Sequence, residues 1–339
     1  MRISVPASWQ SKEIWPGILT RNFGNVPASL LIGTRGSPLA LWQADHVRTR
    51  LLTAHGSDRG SAELDVITTS GDRIQDQPLA DLGGKGLFTK EIDEALLRGH
   101  IALAVHSMKD LPTKLPDGLC VAAVLPRADV RDAFLSPVAP SLTALPPGAV
   151  VGTSSLRRAA QVKRLRPDLR VIDFRGNVET RLRKLDEGVA DATLLAMAGL
   201  DRLGLSEKAT AALSVDEMLP AVAQGAIGIV AREDDTETNA VLAPLNDRET
   251  ETAVGCERAF LAELDGSCRT PIAGLARIED GTIRFRGLIL SPGGAEWHDV
   301  EMECALDRAE ALEQAEALGR QAGEDILARA GADFLTTLP

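Results

Sequence analysis

The chain has 339 residues, of which 44% are hydrophobic and 25% charged, and its formal net charge is −11. That length suggests two or three domains, each able to bury a core, in an ordinary soluble globular protein. The acidic balance argues against general binding to nucleic acid or anionic membranes, and no apolar run approaches the roughly 18–20 residues that span a bilayer.

Four cysteines, Cys120, Cys256, Cys268 and Cys304, stand far apart without a CxxC spacing. They suggest neither a zinc site nor a disulfide scaffold, and they fit a reducing cytoplasm; no metal is expected. Residues 1–28 lack a continuous apolar core and a small-residue cleavage site, so they make a poor signal peptide. They are expected to be a disordered extension.

Order is expected from Leu30. LLIGTR reads as a strand, and Ser37-Pro38 as a helix start with Ser at the cap and Pro at the first helical position. Leu39, Trp42, Val47 and Leu51 then recur at roughly helical spacing. Arg35 falls in the strand-to-helix loop, where a guanidinium either meets a bound anion or faces solvent. Leu64–Asp72 reads as a second strand ending in a turn. The glycine loop LGGKGLFTKE follows, with Lys85 and Phe88. It is not a Walker A loop, because Gly86 and not Ser or Thr follows Lys85. A lysine-bearing flap over a site and a flexible lead into a helix Thr89–Arg98 both fit it.

Ile101–Pro112, IALAVHSMKDLP, carries the densest chemistry. Ile101 to Val105 has the length and residue types of a buried parallel strand. His106, Ser107, Lys109 and Asp110 follow at once, at the carboxyl end where open α/β sheets bind ligands. The plain alternative is a solvated loop with a surface ion pair.

A second α/β unit begins after Pro126. AVVGTSSLRRAAQVKRLRP gives a strand, a glycine turn and a helix starting near Ser154 or Ser155, with Arg157 and Arg158 in its first turn. Free amides and hydroxyls at that start suit an anion. Strand LRVIDF, turn Arg175-Gly176-Asn177, a helix carrying Arg181 and the strand-like run DATLLAMAGL lead to Arg202. Eight arginines lie between Arg157 and Arg183. Several sit at successive strand-to-helix junctions, where they would converge on one cleft. Arginine's fork binds two oxygens at once, so the cleft is expected to take a polyanion. LPAVAQGAIGIVAR then returns the chain to the first unit.

The last third is a helix, ETETAVGCERAFLAEL, and a loop DGSCRTP, then three strand-like runs, Ile272–Arg277, Ile283–Leu290 and Glu296–Met302. A helix over about Asp307–Ala330 ends the chain. Cys268 alone sits in a loop, beside Arg269, where a cation favours thiolate; an inert exposed thiol is the other reading.

TRGSPLALWQA, GGKGLFTKE, VHSMKDLP, GTSSLRRAAQ, RGNVETRL, AMAGLDRLG, PAVAQGAIGI and DGSCRTPIAG occur in this order and closely resemble the porphobilinogen deaminase (hydroxymethylbilane synthase) family. The resemblance runs from about Leu30 to the C-terminus. It implies two α/β lobes like those of periplasmic binding proteins around a cleft, plus a small C-terminal α+β domain with a three-stranded antiparallel sheet. The expected boundaries are 29–127 with 222–244, then 128–221, then 245–339. It implies a transferase of tetrapyrrole (porphyrin and heme) biosynthesis that condenses four porphobilinogens head to tail on a covalently bound primer, releases ammonia and then hydrolyses the product to hydroxymethylbilane. The cofactor it implies is a dipyrromethane held by a thioether at Cys268. By the same resemblance Asp110 is catalytic; Lys109, Ser155, Arg157 and Arg158 bind the cofactor. Arg35, Arg175, Arg181, Arg202, Ser107, Lys85 and Phe88 lie on the substrate side. Asp81 stands where some relatives carry lysine, so no substrate role is carried over there.

The expected partner is porphobilinogen alone, without nucleic acid or membrane, for a cytoplasmic monomer. A noncatalytic two-lobed anion-binding protein is the rival, although it needs neither Cys268 nor a third domain. A nucleic-acid binder fits the arginines but not the acidic charge or the 3% aromatic content.

Overall fold

A computed structural model describes residues 29–56, 61–73, 89–264 and 270–335. The expectations for residues 1–28, for Asp81, Lys85 and Phe88, and for Cys268 lie outside these residues.

The apolar run expected at Ile101–Val105 becomes strand β3 (Leu103–Ser107), and its unbroken hydrophobicity has a simple cause. Leu103 and Val105 face one core while Ala104 faces another, so both sides of the strand are covered. β3 lies at the middle of a five-stranded sheet with β1 (Ser29–Thr34), β2 (Ser61–Val66), β4 (Leu119–Val124) and β10 (Ile227–Arg232), in the order β2-β1-β3-β10-β4. β1, β2 and β3 run parallel; β10 runs antiparallel to β3 and β4. PAVAQGAIGIVAR thus returns the chain to the first sheet as expected. Helices α1 (Pro38–His55) and α7 (Thr236–Leu242) cover one face of this sheet; α3 (Lys90–Leu97) covers the other. α1 starts as its sequence indicates, with Ser37 Oγ accepting from the Ala40 amide at 3.3 Å.

The second lobe repeats the plan. β5 (Asp132–Leu135), β6 (Val150–Gly152), β7 (Arg170–Ile172), β8 (Ala192–Ala196) and β9 (Ala211–Ala212) form a sheet in the order β7-β6-β8-β5-β9. α4 (Leu156–Leu165), α5 (Val178–Asp186) and α6 (Met197–Leu203) follow β6, β7 and β8 respectively.

The third domain is helix α8 (Arg248–Glu263), a meander of β11 (Ile272–Glu279), β12 (Thr282–Leu290) and β13 (Trp297–Ala305), and α9 (Ala311–Leu335), which breaks its helical backbone at Gly331. α8 and α9 pack on the sheet around Phe260, Phe285 and Ile326.

Four expectations need correction. DATLLAMAGL is not one strand: it stops at Ala196, and Met197 begins α6. The second strand ends at Val66, and Ser70–Arg73 (α2) forms a single helical turn whose first amide donates to Glu91 at 2.9 Å. The third meander strand continues to Ala305, paired with β12 throughout. The last helix starts at Ala311, because Asp307 instead makes a turn in which its carboxylate accepts from the Ala309 amide at 2.8 Å.

Two chain segments cross between the lobes, Arg127–Asp132 outward and Pro220–Ala226 back. Glu257 of α8 ties both: it takes Arg127 in a two-pronged ion pair (2.6 and 3.0 Å) and accepts the Ala223 amide at 2.6 Å. Ala223 has φ +61°, and Gly225 has φ +91° with the Ala128 carbonyl so close that a Cβ would lie 2.7 Å from it. The return crossing is therefore held in backbone conformations that L side chains rarely adopt.

Candidate active site

At the carboxyl end of β3 the chain makes one 3-10 turn, Met108–Asp110. Met108 is buried in the core, and its amide donates to the Ala226 carbonyl at 3.0 Å. The turn is thereby fastened from below while Asp110 stands exposed at its end. Ser107 Oγ accepts from Gln43 Nε2 of α1 at 2.9 Å. Lys109 reaches inward, donating to Gln224 Oε1 at 3.5 Å. Burial pushes the Lys109 ammonium down to about 8; Asp110 and Asp132 resist that shift, and Arg158 and Arg157 add to it. Near neutral pH it is a cation with an easily lost proton.

Across the crossing segments stands the start of α4. Ser155 caps the helix, its Oγ accepting from the Arg158 amide at 3.4 Å. Arg157 and Arg158 are buried, and both are engaged by the buried Asp132: Arg157 at 2.7 Å, Arg158 at 2.7 and 3.1 Å. Arg157 also donates to Leu219 O and Arg158 to Leu194 O, each at 2.8 Å. The two guanidiniums hold Asp132 well below the usual carboxylate range although burial pulls the other way. One carboxylate facing two guanidiniums leaves an excess positive charge at a helix N-terminus, which favours an anion in front of it. These arginines are thus a buried electropositive base; the forks expected to converge on the cleft are already occupied by Asp132.

Gln224, fully buried, links the two halves. Its amide nitrogen donates to Asp132 Oδ1 at 3.1 Å and to Val130 O at 2.8 Å, while its oxygen accepts from Lys109.

Arg181 joins this site. Burial, together with Arg158 and Arg175, lowers it to about 10 against the opposing charges of Asp173 and Asp110. The carboxylate of the first lobe and the arginines of the second therefore act on one side chain. Arg181 Nε donates to Gly176 O at 2.9 Å. Arg175 is half-buried in the turn just before the Asn177 cap of α5.

Arg35 and Arg202 are placed differently. Arg35 follows β1, and its charge, after burial, helps hold His106 down to about 4. His106 is therefore neutral at physiological pH. Arg202 donates to Gly225 O at 2.6 Å and lies over the Trp42 ring with its carbon 5.9 Å from the centroid. It touches the return crossing and α1.

Sequence reasoning missed Gln43, Asp132 and Gln224 as members of the site. Asp132 had a weak signal, a lone acid opening an apolar strand, DAFL. Gln224 in PAVAQG had a similar one.

Two family models match this chain. One is described as porphobilinogen deaminase, dipyromethane cofactor binding domain, over residues 30–240; the other is the C-terminal domain of the same family, over 252–328. Among curated relatives, porphobilinogen deaminase of Nitrobacter winogradskyi is 59% identical over 305 residues, covering 90% of this chain and 95% of the relative. The chloroplastic enzyme of Pisum sativum is 54% identical over 317 residues, 92% and 85%. Porphobilinogen deaminase of Paracoccus denitrificans is 54% identical over 303 residues, 89% and 95%.

Proposed function

Since the chain belongs to the porphobilinogen deaminase family, we propose that it condenses four porphobilinogens into hydroxymethylbilane at the cleft between Asp110 and the start of α4. The observation that carries this reading is an exposed carboxylate on a pinned turn, Asp110, whose charge acts on the cations Lys109 and Arg181, which in turn feel the Arg158 guanidinium at the start of α4.

The substrate's chemistry explains the residue types. Each porphobilinogen carries an acetate and a propionate, so the growing chain is a polyanion. Each addition breaks the C–N bond of the aminomethyl group with loss of ammonia. It forms a C–C bond to the α-carbon of the terminal pyrrole, and that carbon gives up its proton. Positive charge develops on pyrrole nitrogens meanwhile. Asp110, exposed at the end of its turn, accepts pyrrole N–H bonds and stabilises that charge; it also takes the proton. Lys109, Arg181 and the Arg157–Asp132–Arg158 group supply cationic charge against carboxylates. Arg35, Arg175, Arg202 and Ser107 line the substrate side in this reading, and Lys85 and Phe88 of the glycine loop belong to it too.

A dipyrromethane fits these residues: its carboxylates suit the α4 start, where buried Arg157 Nε has no hydrogen-bond partner among the described residues. When bound, that group supplies the free pyrrole α-carbon on which the product is built. We assign its thioether attachment to Cys268, in the segment that follows α8 in sequence. The protein acts as a monomer in the cytoplasm and takes neither nucleic acid nor membrane as a partner; among the described residues no helix is long and apolar enough to cross a membrane.

The test is the intact mass of denatured holoprotein followed by peptide mapping. A dipyrromethane mass on the Cys268 peptide is expected. A chain that stays unmodified after incubation with porphobilinogen would overturn the assignment and favour a noncatalytic anion-binding protein.

A further inference from the structure

Arg258 of α8 stands beside Glu257 but does different work. Its guanidinium reaches out of the third domain and donates to three successive carbonyls: Leu111 O at 3.5 Å, Pro112 O at 2.7 Å and Thr113 O at 3.0 Å. These carbonyls begin at the residue after Asp110. Burial holds this arginine below its ordinary pKa range. A cation kept in such a place costs desolvation, and its hydrogen bonds to carbonyls offset that cost.

The Asp110 turn has two ends. Its entry is fixed by β3 and by the Met108 amide bond to Ala226 O. Its exit has the Leu111 amide bonded back to Met108 O at 3.2 Å, then a proline that donates nothing, and then the Arg258 clamp. We propose that Arg258 is a positioning residue for Asp110, holding the exit of its turn from the third domain. α8 is one rigid rod that ends at Glu263, just before the segment carrying Cys268. It therefore ties the exit of the Asp110 turn to the third domain. This rests on the reading of Asp110 as the catalytic carboxylate.

The experiment uses holoenzyme carrying Arg258→Gln, with Arg258→Lys as the conservative partner. For Arg258→Gln, kcat is expected to fall about ten- to hundred-fold, as a small misplacement of a reacting group does, with KM nearly unchanged. The cofactor mass is retained, and hydrogen exchange rises in the peptide spanning residues 107–114. Arg258→Lys should recover part of both, because an ammonium also donates to carbonyls; it carries the test alone if Arg258→Gln does not fold. Unchanged exchange in that peptide, or a loss confined to KM, overturns the positioning role. Full turnover by Asp110→Asn would instead overturn the reading of Asp110 and leave the exchange result standing.

Discussion

The two lobes are built on one plan and used in opposite ways. In each, three parallel strands are followed in sheet order by an antiparallel strand that a crossing segment leads into, β10 in the first and β5 in the second. Corresponding positions can therefore be compared. At the end of β3, Ser107 pairs with Ile227 of the crossing strand; at the end of β8, Ala196 pairs with Asp132. One lobe has an apolar residue there and puts its carboxylate, Asp110, outside on a turn. The other buries its carboxylate and surrounds it with arginines. The first lobe presents a carboxylate to the cleft, which is the base of the proposed reading. The second stores positive charge, and Asp132 is what makes two adjacent buried guanidiniums tolerable.

The largest effect expected from breaking this contrast is at Asp132. Asp132→Ala leaves Arg157 and Arg158 buried against each other, and removing one partner of such a group typically costs about 3–5 kcal/mol. Denaturant unfolding should show the loss, and covalent cofactor should fall with it. Wild-type stability would mean that the arginines do not need a counter-charge. Next is Asp110→Asn. It should fold normally, because the side chain is exposed, yet lose about 3–4 kcal/mol of transition-state stabilisation, roughly a hundred- to thousand-fold in kcat. Equal stability with lost turnover at Asp110, against lost stability at Asp132, is the contrast in measurable form.

Much of this arrangement was legible in the sequence where function depends on local order. The strand-then-HSMKD pattern located the Asp110 turn, and the Ser-Pro and Ser-Ser-Leu-Arg-Arg patterns located two helix starts, because caps and turns are decided by neighbours. The arginine-rich junctions also placed Arg158, Arg175 and Arg181 in one region. What stayed hidden depends on partners far along the chain. Arg158 meets Asp132 across 26 residues, Arg127 meets Glu257 across 130, and Arg258 meets Pro112 across 146. Nothing local distinguishes an arginine that will be occupied by a buried acid from one left facing ligand. The α6 start was missed for a related reason: Met197-Ala-Gly-Leu is as apolar as the strand before it, and only the geometry of the sheet end decides where the helix begins.

A smaller effect is expected from pH. Lys109 holds its proton only to about 8 in the fold, whereas an unfolded lysine keeps it to about 10.4. Between these values the unfolded chain binds more protons, so this residue's contribution to stability rises with pH. Function should move the other way, because the neutral amine no longer attracts a carboxylate. KM for porphobilinogen should climb above about pH 8, and Lys109→Arg should remove that limb, since arginine stays charged. A limb unchanged in Lys109→Arg would assign it to another group.

The smallest change separates two roles of one hydroxyl. Ser155 caps α4, and in the proposed reading it also faces a cofactor carboxylate. Ser155→Ala should cost about 1 kcal/mol from the cap alone, a shift of a few degrees in melting temperature, so by itself it cannot distinguish the roles. Ser155→Asp can. Aspartate caps a helix about as well as serine and suits the positive end of the helix, so stability should be kept. Its charge would repel an incoming carboxylate and would compete with Asp132 for Arg157 and Arg158. Normal melting with reduced covalent cofactor in Ser155→Asp would show that the second lobe's charge is kept for anions. Normal loading would show that Ser155 serves the helix only, and that the anion site lies deeper, at the guanidiniums themselves.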